Sequence, residues 1–313
     1  MTRTASIDIG SQTIRLLIAD CSPPNHYVPV FRDRRIVRLG EGMNARPVLS
    51  RTAMDRAARC LSDFASTARS MGAVRIYAVA TACVRNALNA PAFLKLVQLE
   101  SGLSPAVLSG NDEAALSLKG VLSVYPRCSG PALVMDIGGG STEFTSLPDS
   151  STCISESIDL GVIGLSETFL LHDPPSRPEV RNLAVEVDHR LRTASRTLHS
   201  LSHSRPSPLI IGTAGTITTL AAMDLRMAAY YPDIINGHCL SRSSVERLFS
   251  EMVAVSSEKR RYLPGLEHGR ETVIIPGAVI VLSVMDIVRT ERLSVSDAGL
   301  LEGVIIQKIN SPP

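Results

Sequence analysis

The sequence predicts an α/β protein built from two similar halves, and three observations carry that expectation. Short aliphatic and β-branched runs alternate with helical periodicity along the chain, the pattern of layered α/β architecture. Two of these runs, Ser6-Ile7-Asp8-Ile9-Gly10-Ser11 and Met135-Asp136-Ile137-Gly138-Gly139-Gly140-Ser141, end alike in an acid, then glycine, then a hydroxyl residue. Asp8 and Asp136 lie 128 positions apart in a chain of 313 residues, about one domain length.

The elements follow in order. Ala5–Ile9 and Ile14–Ala19 read as strands around the Gly10-Ser11 turn. Pro23, Pro24 and Asn25 break the pattern, and Val28–Leu39 reads as a further strand pair ending at Gly40-Glu41-Gly42. Ser50 is a helix N-cap, with Ala53, Ala57, Cys60, Leu61, Phe64 and Ala68 on one face and Gly72 as the stop. Val74–Ala80 is a buried strand, and Thr81–Asn86 follows at its carboxyl end, where open α/β sheets place ligand groups. Asn89 and Pro91 open a helix, Val107–Ser109 is a brief strand, and Asn111 or Asp112 caps a helix through Val121. Tyr125–Pro131 reads as a linker. The second half repeats the theme: strands at Ala132–Ile137 and Glu143–Leu147, an extended Ile158–Gly161, and a long helix over Val180–Leu201. A strand at Pro208–Ile211 then enters Gly212-Thr213-Ala214-Gly215-Thr216. Ser243 or Ser244 caps a helix through Val255, Pro276 sits in the first turn of another, Leu293–Val295 is the last strand and Leu300–Ile309 the last helix.

Composition narrows the function classes. Apolar residues make up 44% and charged residues 20% of the chain, with a net charge of +2, so no global basic field points to a nucleic acid. Only four of the 32 basic residues are lysine; guanidinium forks match phosphate geometry, and genome base composition gives the same bias. The six cysteines (Cys21, Cys60, Cys83, Cys128, Cys153, Cys239) form no CxxC pair, which argues against a zinc site and for buried thiols in a reducing compartment. The apolar segment Val273–Val288 is interrupted by Pro276, Gly277, Ser283 and Asp286 and is too short to span a bilayer. The expectation is a cytoplasmic protein with no membrane or nucleic-acid partner.

An apolar strand that delivers a carboxylate to a glycine turn suits a phosphate and a cation, since glycines let backbone N–H groups approach phosphoryl oxygens and the acid can hold Mg²⁺. Asp8-Ile9-Gly10-Ser11 alone is a weak signal that a tight turn explains. Asp136 through Glu143 is more demanding, because three successive glycines cost stability in a strand or helix, and Asp136 and Glu143 emerge on adjacent strands able to share a metal. Gly212–Thr216 opens a helix whose N-terminal amides suit an anion; close strand-to-helix packing explains the same glycines. No Walker loop, Gly-x-Ser-x-Gly elbow or metal-spaced histidine pair is present.

With these runs in view, the chain resembles the exopolyphosphatase and guanosine pentaphosphate phosphohydrolase (Ppx/GppA) family. The resemblance rests on the two acid-glycine runs, Val37–Gly42, Ala80–Arg85 with Asn89, Leu108–Ala114, Asp159-Leu160-Gly161 and Gly212–Thr216. Pro264-Gly265-Leu266, Arg270, Ile275–Ala278 and Val295–Leu300 complete it. It implies two actin-like (ribonuclease H-like) domains of the sugar kinase/Hsp70/actin superfold with an interdomain cleft. One would comprise residues 1–125 plus 300–313 and the other 126–299, moving about crossings near Tyr125–Pro131 and Ser296–Leu300. It implies Glu113 as the base for the attacking water, Arg85 as a second catalytic residue lining the phosphate site, and Asp136 and Glu143 as ligands of Mg²⁺, with Mn²⁺ as an alternative. Asp8, Gly10, Ser11, Gly138, Gly139, Gly140, Ser141, Gly212, Thr213, Gly215, Thr216 and Arg270 would bind phosphate. Without the resemblance, Glu113 is a first-turn helix acid that capping explains.

The implied activity is release of orthophosphate from the end of inorganic polyphosphate, with short chains favoured because the sequence stops soon after the actin-like core. The alternatives are hydrolysis of pppGpp to ppGpp, a non-catalytic polyphosphate or nucleotide binder, and an actin-like sugar or acetate kinase. A homodimer is left open. The chain departs from the family pattern at Gln12 (usually Asn), Asp112 (Glu), Glu271-Thr272 (Ala-Asp) and Ala298 (Arg).

Overall fold

The first aliphatic run pairs with the second, as the burial of both requires. In the computed structural model, which describes residues 1–125, 131–147, 153–202 and 207–310, β1 (Thr2–Ile9) and β2 (Thr13–Ser22) form an antiparallel hairpin, and β3 (His26–Ile36) adds to its outer side. The strand pair expected within Val28–Leu39 is one strand. The amides of Val37 and Arg38 both bond to the Gln12 carbonyl at 3.0 Å and turn the chain beneath the hairpin instead. Helix α1 (Arg51–Ser70) starts where expected, with the Ser50 hydroxyl accepting from the Ala53 amide at 3.2 Å and satisfying an otherwise orphaned donor. Strand β4 (Arg75–Ala80) runs parallel to β1 and leads into the single-turn α2 (Ala82–Arg85). Helix α3 (Ala90–Ser101), the two-residue β5 (Ala106–Val107) and α4 (Gly110–Val124) follow. Ser109, rather than Asn111 or Asp112, caps α4: its hydroxyl accepts from the Asp112 amide at 3.1 Å.

The second half repeats this plan. β6 (Ala132–Ile137), β7 (Thr142–Leu147) and β8 (Ile154–Ile158) form an antiparallel meander, followed by α5 (Val162–Phe169), α6 (Arg177–Ala194) and α7 (Arg196–Leu201). The single helix expected over Val180–Leu201 is broken at Ser195. There the Ser195 hydroxyl and the amides of Arg196 and Thr197 bond to the Glu156 carboxylate and start a new helix. β9 (Leu209–Thr213) runs parallel to β6. After it come α8 (Ala214–Asp224), α9 (Pro232–Ile235), β10 (Cys239–Ser241), α10 (Arg242–Val253), α11 (Ser257–Arg260), α12 (Ile274–Val288) and β11 (Arg292–Val295). Ser241, not Ser243 or Ser244, caps α10 through the Ser244 amide. Apolar α12 is buried on nearly all sides, as a helix without a polar face must be.

Strand order is β3-β2-β1-β4-β5 in the first sheet and β8-β7-β6-β9-β11-β10 in the second. The second repeats the order of the first, counted by place in its own unit, with β10 as one extra edge strand. The chain divides into two compact units, Met1–Ser123 with Gly299–Pro313, and Val124–Ala298. Of the linker expected at Tyr125–Pro131, residues 126–130 lie outside the described residues.

The last helix, α13 (Leu300–Ile309), completes the first unit by laying Leu301 and Ile305 over Leu17, Ala19 and Cys21. It meets α4 backbone to backbone. A β-carbon on Gly120 would lie 1.8 Å from the Gly299 carbonyl oxygen, and one on Gly303 would lie 1.8 Å from that of Leu116, so neither position admits a side chain. Among the described residues no helix is long and apolar enough to cross a membrane.

Candidate active site

In the first unit the expected residues gather at the carboxyl edge of the parallel strands. The β1–β2 register sets Asp8 opposite Arg15, and the turn closes through a 3.1 Å bond from the Gly10 amide to the Thr13 carbonyl. Arg15 donates through Nε and Nη2 to one oxygen of Asp8, Oδ2, at 3.0 and 2.7 Å. The other oxygen, Oδ1, is buried with no hydrogen-bond partner. Leaving such an acceptor unmatched costs about 1–3 kcal/mol, and an acceptor-only carboxylate repels phosphoryl oxygens. Asp8 therefore suits the cation that accompanies a phosphate better than the phosphate itself. The carbonyls of Ser11 and Gln12 are committed inward, to the amides of Gly40 (2.9 Å) and of Val37 and Arg38. That leaves a turn of N–H polarity, the polarity an anion needs. Cys83 packs beside Ser11, and burial pushes its thiol up to about 12, so it is a filler and not a nucleophile.

The neighbouring strand ends supply Arg85 and Glu113. Arg85, at the end of α2, donates from Nη1 to Glu113 Oε2 at 2.9 Å and to the Leu108 carbonyl at 3.0 Å. Glu113, in the first turn of α4, is only 7% exposed. The two residues expected to act in catalysis thus form one ion pair, and the guanidinium fixes the rotation of the carboxylate.

The second unit has the same hairpin with a different pairing. Asp136 faces Glu143 across β6 and β7, and both are buried. Directly opposed like charges are unfavourable unless something positive joins them. Two hydroxyls bond to Glu143 Oε1, Ser141 Oγ at 2.6 Å and Ser157 Oγ at 2.7 Å. Ser141, expected against phosphate, directs its hydroxyl to this carboxylate. Among the described residues no group of three or more His, Cys, Asp or Glu gathers around one point. Mg²⁺ takes one or two carboxylates and completes its shell with water and substrate phosphates.

The third expected loop follows β9, whose Thr213 pairs with Asp136 in the parallel register. The Thr213 hydroxyl bonds to the Ala298 carbonyl at 3.0 Å, so this residue can offer an anion only its backbone. Ala214 takes a left-handed conformation, φ +67°, rare for a residue with a side chain. Arg270 is buried and its guanidinium lies on the backbone of Gly215, where a β-carbon would sit 2.0 Å from Nη2. Arg270 therefore lies against the first turn of α8 at Gly215. Gly212 is filled by Ile217, so its lack of a side chain serves packing.

Two partners were not anticipated. Arg15 had a readable signal, because it stands seven residues after Asp8 just as Glu143 stands seven after Asp136. Ser157 had none, because its place depends on the register of a third strand.

The Ppx/GppA phosphatase family profile matches residues 18–311. The chain is 32% identical to exopolyphosphatase 2 of Mycobacterium tuberculosis over 98% of both sequences. Its structure is similar to that of the Aquifex aeolicus Ppx/GppA family member, with TM-score 0.79, 30% identity and 99% of each chain covered. It also resembles an exopolyphosphatase from Cytophaga hutchinsonii, with TM-score 0.89, 26% identity, and 99% of this chain and 98% of that one covered.

Proposed function

Because the chain belongs to the Ppx/GppA phosphatase family, we propose that it hydrolyses the terminal phosphoanhydride of inorganic polyphosphate and releases orthophosphate. The class of the enzyme, a phosphoanhydride hydrolase, follows from its family and its relatives. The observation that carries the finer reading is the buried Asp136–Glu143 pair beside a three-glycine turn, a receptor for a cation and the phosphate that accompanies it.

Glu113 takes a proton from water as the water oxygen attacks the last phosphorus, and the bridging oxygen leaves on the shortened chain. Arg85 orients that carboxylate and stabilises non-bridging oxygens. Asp136 and Glu143 would hold Mg²⁺ or Mn²⁺. When bound, the metal supplies charge neutralisation for the transferring and leaving oxygens. In the first unit the amide of Ser11, and in the second those of Gly139–Ser141 and Gly212–Thr216 with Arg270, are fixed dipoles and charge suited to phosphoryl groups. The described cysteines are all free thiols, which supports a reducing compartment such as the cytoplasm.

Orthophosphate release is measured with Mg²⁺ on short polyphosphate, long polyphosphate and pppGpp side by side. Release from polyphosphate at higher kcat/KM than from pppGpp is expected. Faster turnover of pppGpp makes the chain a guanosine pentaphosphate phosphohydrolase, and binding without turnover makes it a sensor.

A further inference from the structure

The run Asp159-Leu160-Gly161 has no part in the chemistry above, yet the segment around it touches the second hairpin at five points. Ser157 on β8 stands opposite Glu143 and donates its hydroxyl to Oε1 at 2.7 Å. The Leu160 carbonyl accepts from the Thr142 hydroxyl at 2.6 Å. Gly161 lies against the glycine loop, where a β-carbon would sit 2.3 Å from the Gly139 oxygen and 2.3 Å from the Gly140 carbonyl carbon. The first amides of α5, Val162 and Ile163, donate to the carbonyls of Gly138 (3.2 Å) and Gly139 (3.0 Å).

These contacts have one direction. A glycine loop can present carbonyls or amides to a ligand, and only amides suit an anion. The amides at the start of α5, which lack partners within the helix, draw two loop carbonyls inward, and Gly161 is the position that lets the loop come close enough. On the adjoining strand, two hydroxyl donors on a single oxygen of Glu143 fix the plane of its carboxylate opposite Asp136.

We propose that Ser157 and Gly161 are positioning residues for the reaction: Ser157 orients Glu143 toward the cation, and Gly161 with the start of α5 holds the 138–141 loop in its phosphate-binding form. This rests on the reading of Asp136 and Glu143 as cation ligands. The test is Mn²⁺ binding by the full chain without substrate, followed through the electron paramagnetic resonance signal of the free ion. Ser157→Ala should weaken Mn²⁺ binding about tenfold, the effect of losing an outer-shell partner, and Ser157→Thr should restore it. Wild-type Mn²⁺ affinity in Ser157→Ala overturns the role of Ser157. For the loop, orthophosphate is titrated in the presence of Mn²⁺. Gly161→Ala should bind it about tenfold more weakly by disturbing the aligned amides, and unchanged binding overturns the role of Gly161. Should Gly161→Ala not fold, Val162→Pro, which deletes one inward amide, is expected to weaken orthophosphate binding in the same assay, and unchanged binding there counts against the loop role. A wild-type chain that binds Mn²⁺ but releases no orthophosphate from polyphosphate defeats the proposed function and leaves this proposal standing. A wild-type chain that binds no Mn²⁺ defeats the cation reading and the role of Ser157 together.

Discussion

The two glycine hairpins are the same object with opposite electrostatics. Each carries an aspartate two residues before its glycine, each closes through a bond from that glycine's amide to a carbonyl three residues on, and each pairs its aspartate with the residue seven positions later. In the first unit that residue is Arg15, and half of the Asp8 carboxylate is neutralised. In the second it is Glu143, and two carboxylates face each other. Both turns are backed by a Leu-Gly pair after the third strand, Leu39-Gly40 and Leu160-Gly161, with nearby amides drawing the turn carbonyls inward. A shared scaffold thus fixes the polarity of the backbone, while one cross-strand residue decides how strongly each hairpin demands a cation.

The comparison can be broken at graded points. The largest effect is expected from Glu113→Gln, which keeps volume and removes basicity. Orthophosphate release should fall by about 10²–10⁴-fold, and a loss below tenfold in a folded variant removes the base role. Next is Glu143→Arg, which gives the second hairpin the pairing of the first. Mn²⁺ affinity should fall by at least about 10–100-fold, with kcat falling alongside, and retained Mn²⁺ binding would show that the opposed acids are not the cation site. Arg15→Ala leaves Asp8 buried without its counter-charge and should destabilise the chain by about 3 kcal/mol, read as a lower urea midpoint; Asp8→Asn in the same background should recover most of it. Gly161→Ala should cost about 1–3 kcal/mol by overpacking. Gly40→Ala should cost less, because its nearest neighbour would be the Ser11 β-carbon at 3.0 Å rather than backbone at 2.3 Å. The smallest effect lies in the strand-to-helix turns. Ala214, at φ +67°, begins α8 after β9, whereas Ala82 at the corresponding start of α2 has no positive φ. Ala214→Gly should stabilise by about 1 kcal/mol and Ala82→Gly should not, as thermal melts would register.

What the sequence revealed tracks the range of the forces involved. The twin turns were legible because acid, glycine and hydroxyl are local signals, and the helix at Ser50 because capping and periodicity agree. Glu113 was legible only through resemblance, since a first-turn acid explains itself. The end of β3 at Ile36 was not legible, because what stops the strand is a bond to Gln12, far back in the chain. The break at Ser195 was hidden for the same reason: Glu156, on another element, supplies the acceptor. Ser157 needed the register of β8, which no local pattern encodes.

The second unit is one continuous stretch, but the first is finished by α13. That helix covers Leu17, Ala19 and Cys21, locks to α4 through Gly120 and Gly303, and supplies Glu302 to Arg32 at 2.5 Å. A ribosome must therefore translate the whole second unit before the opening strands receive their cover. Until then Leu17, Ala19 and Cys21 lack the helix that buries them, and the stretch synthesised first is the last to be completed.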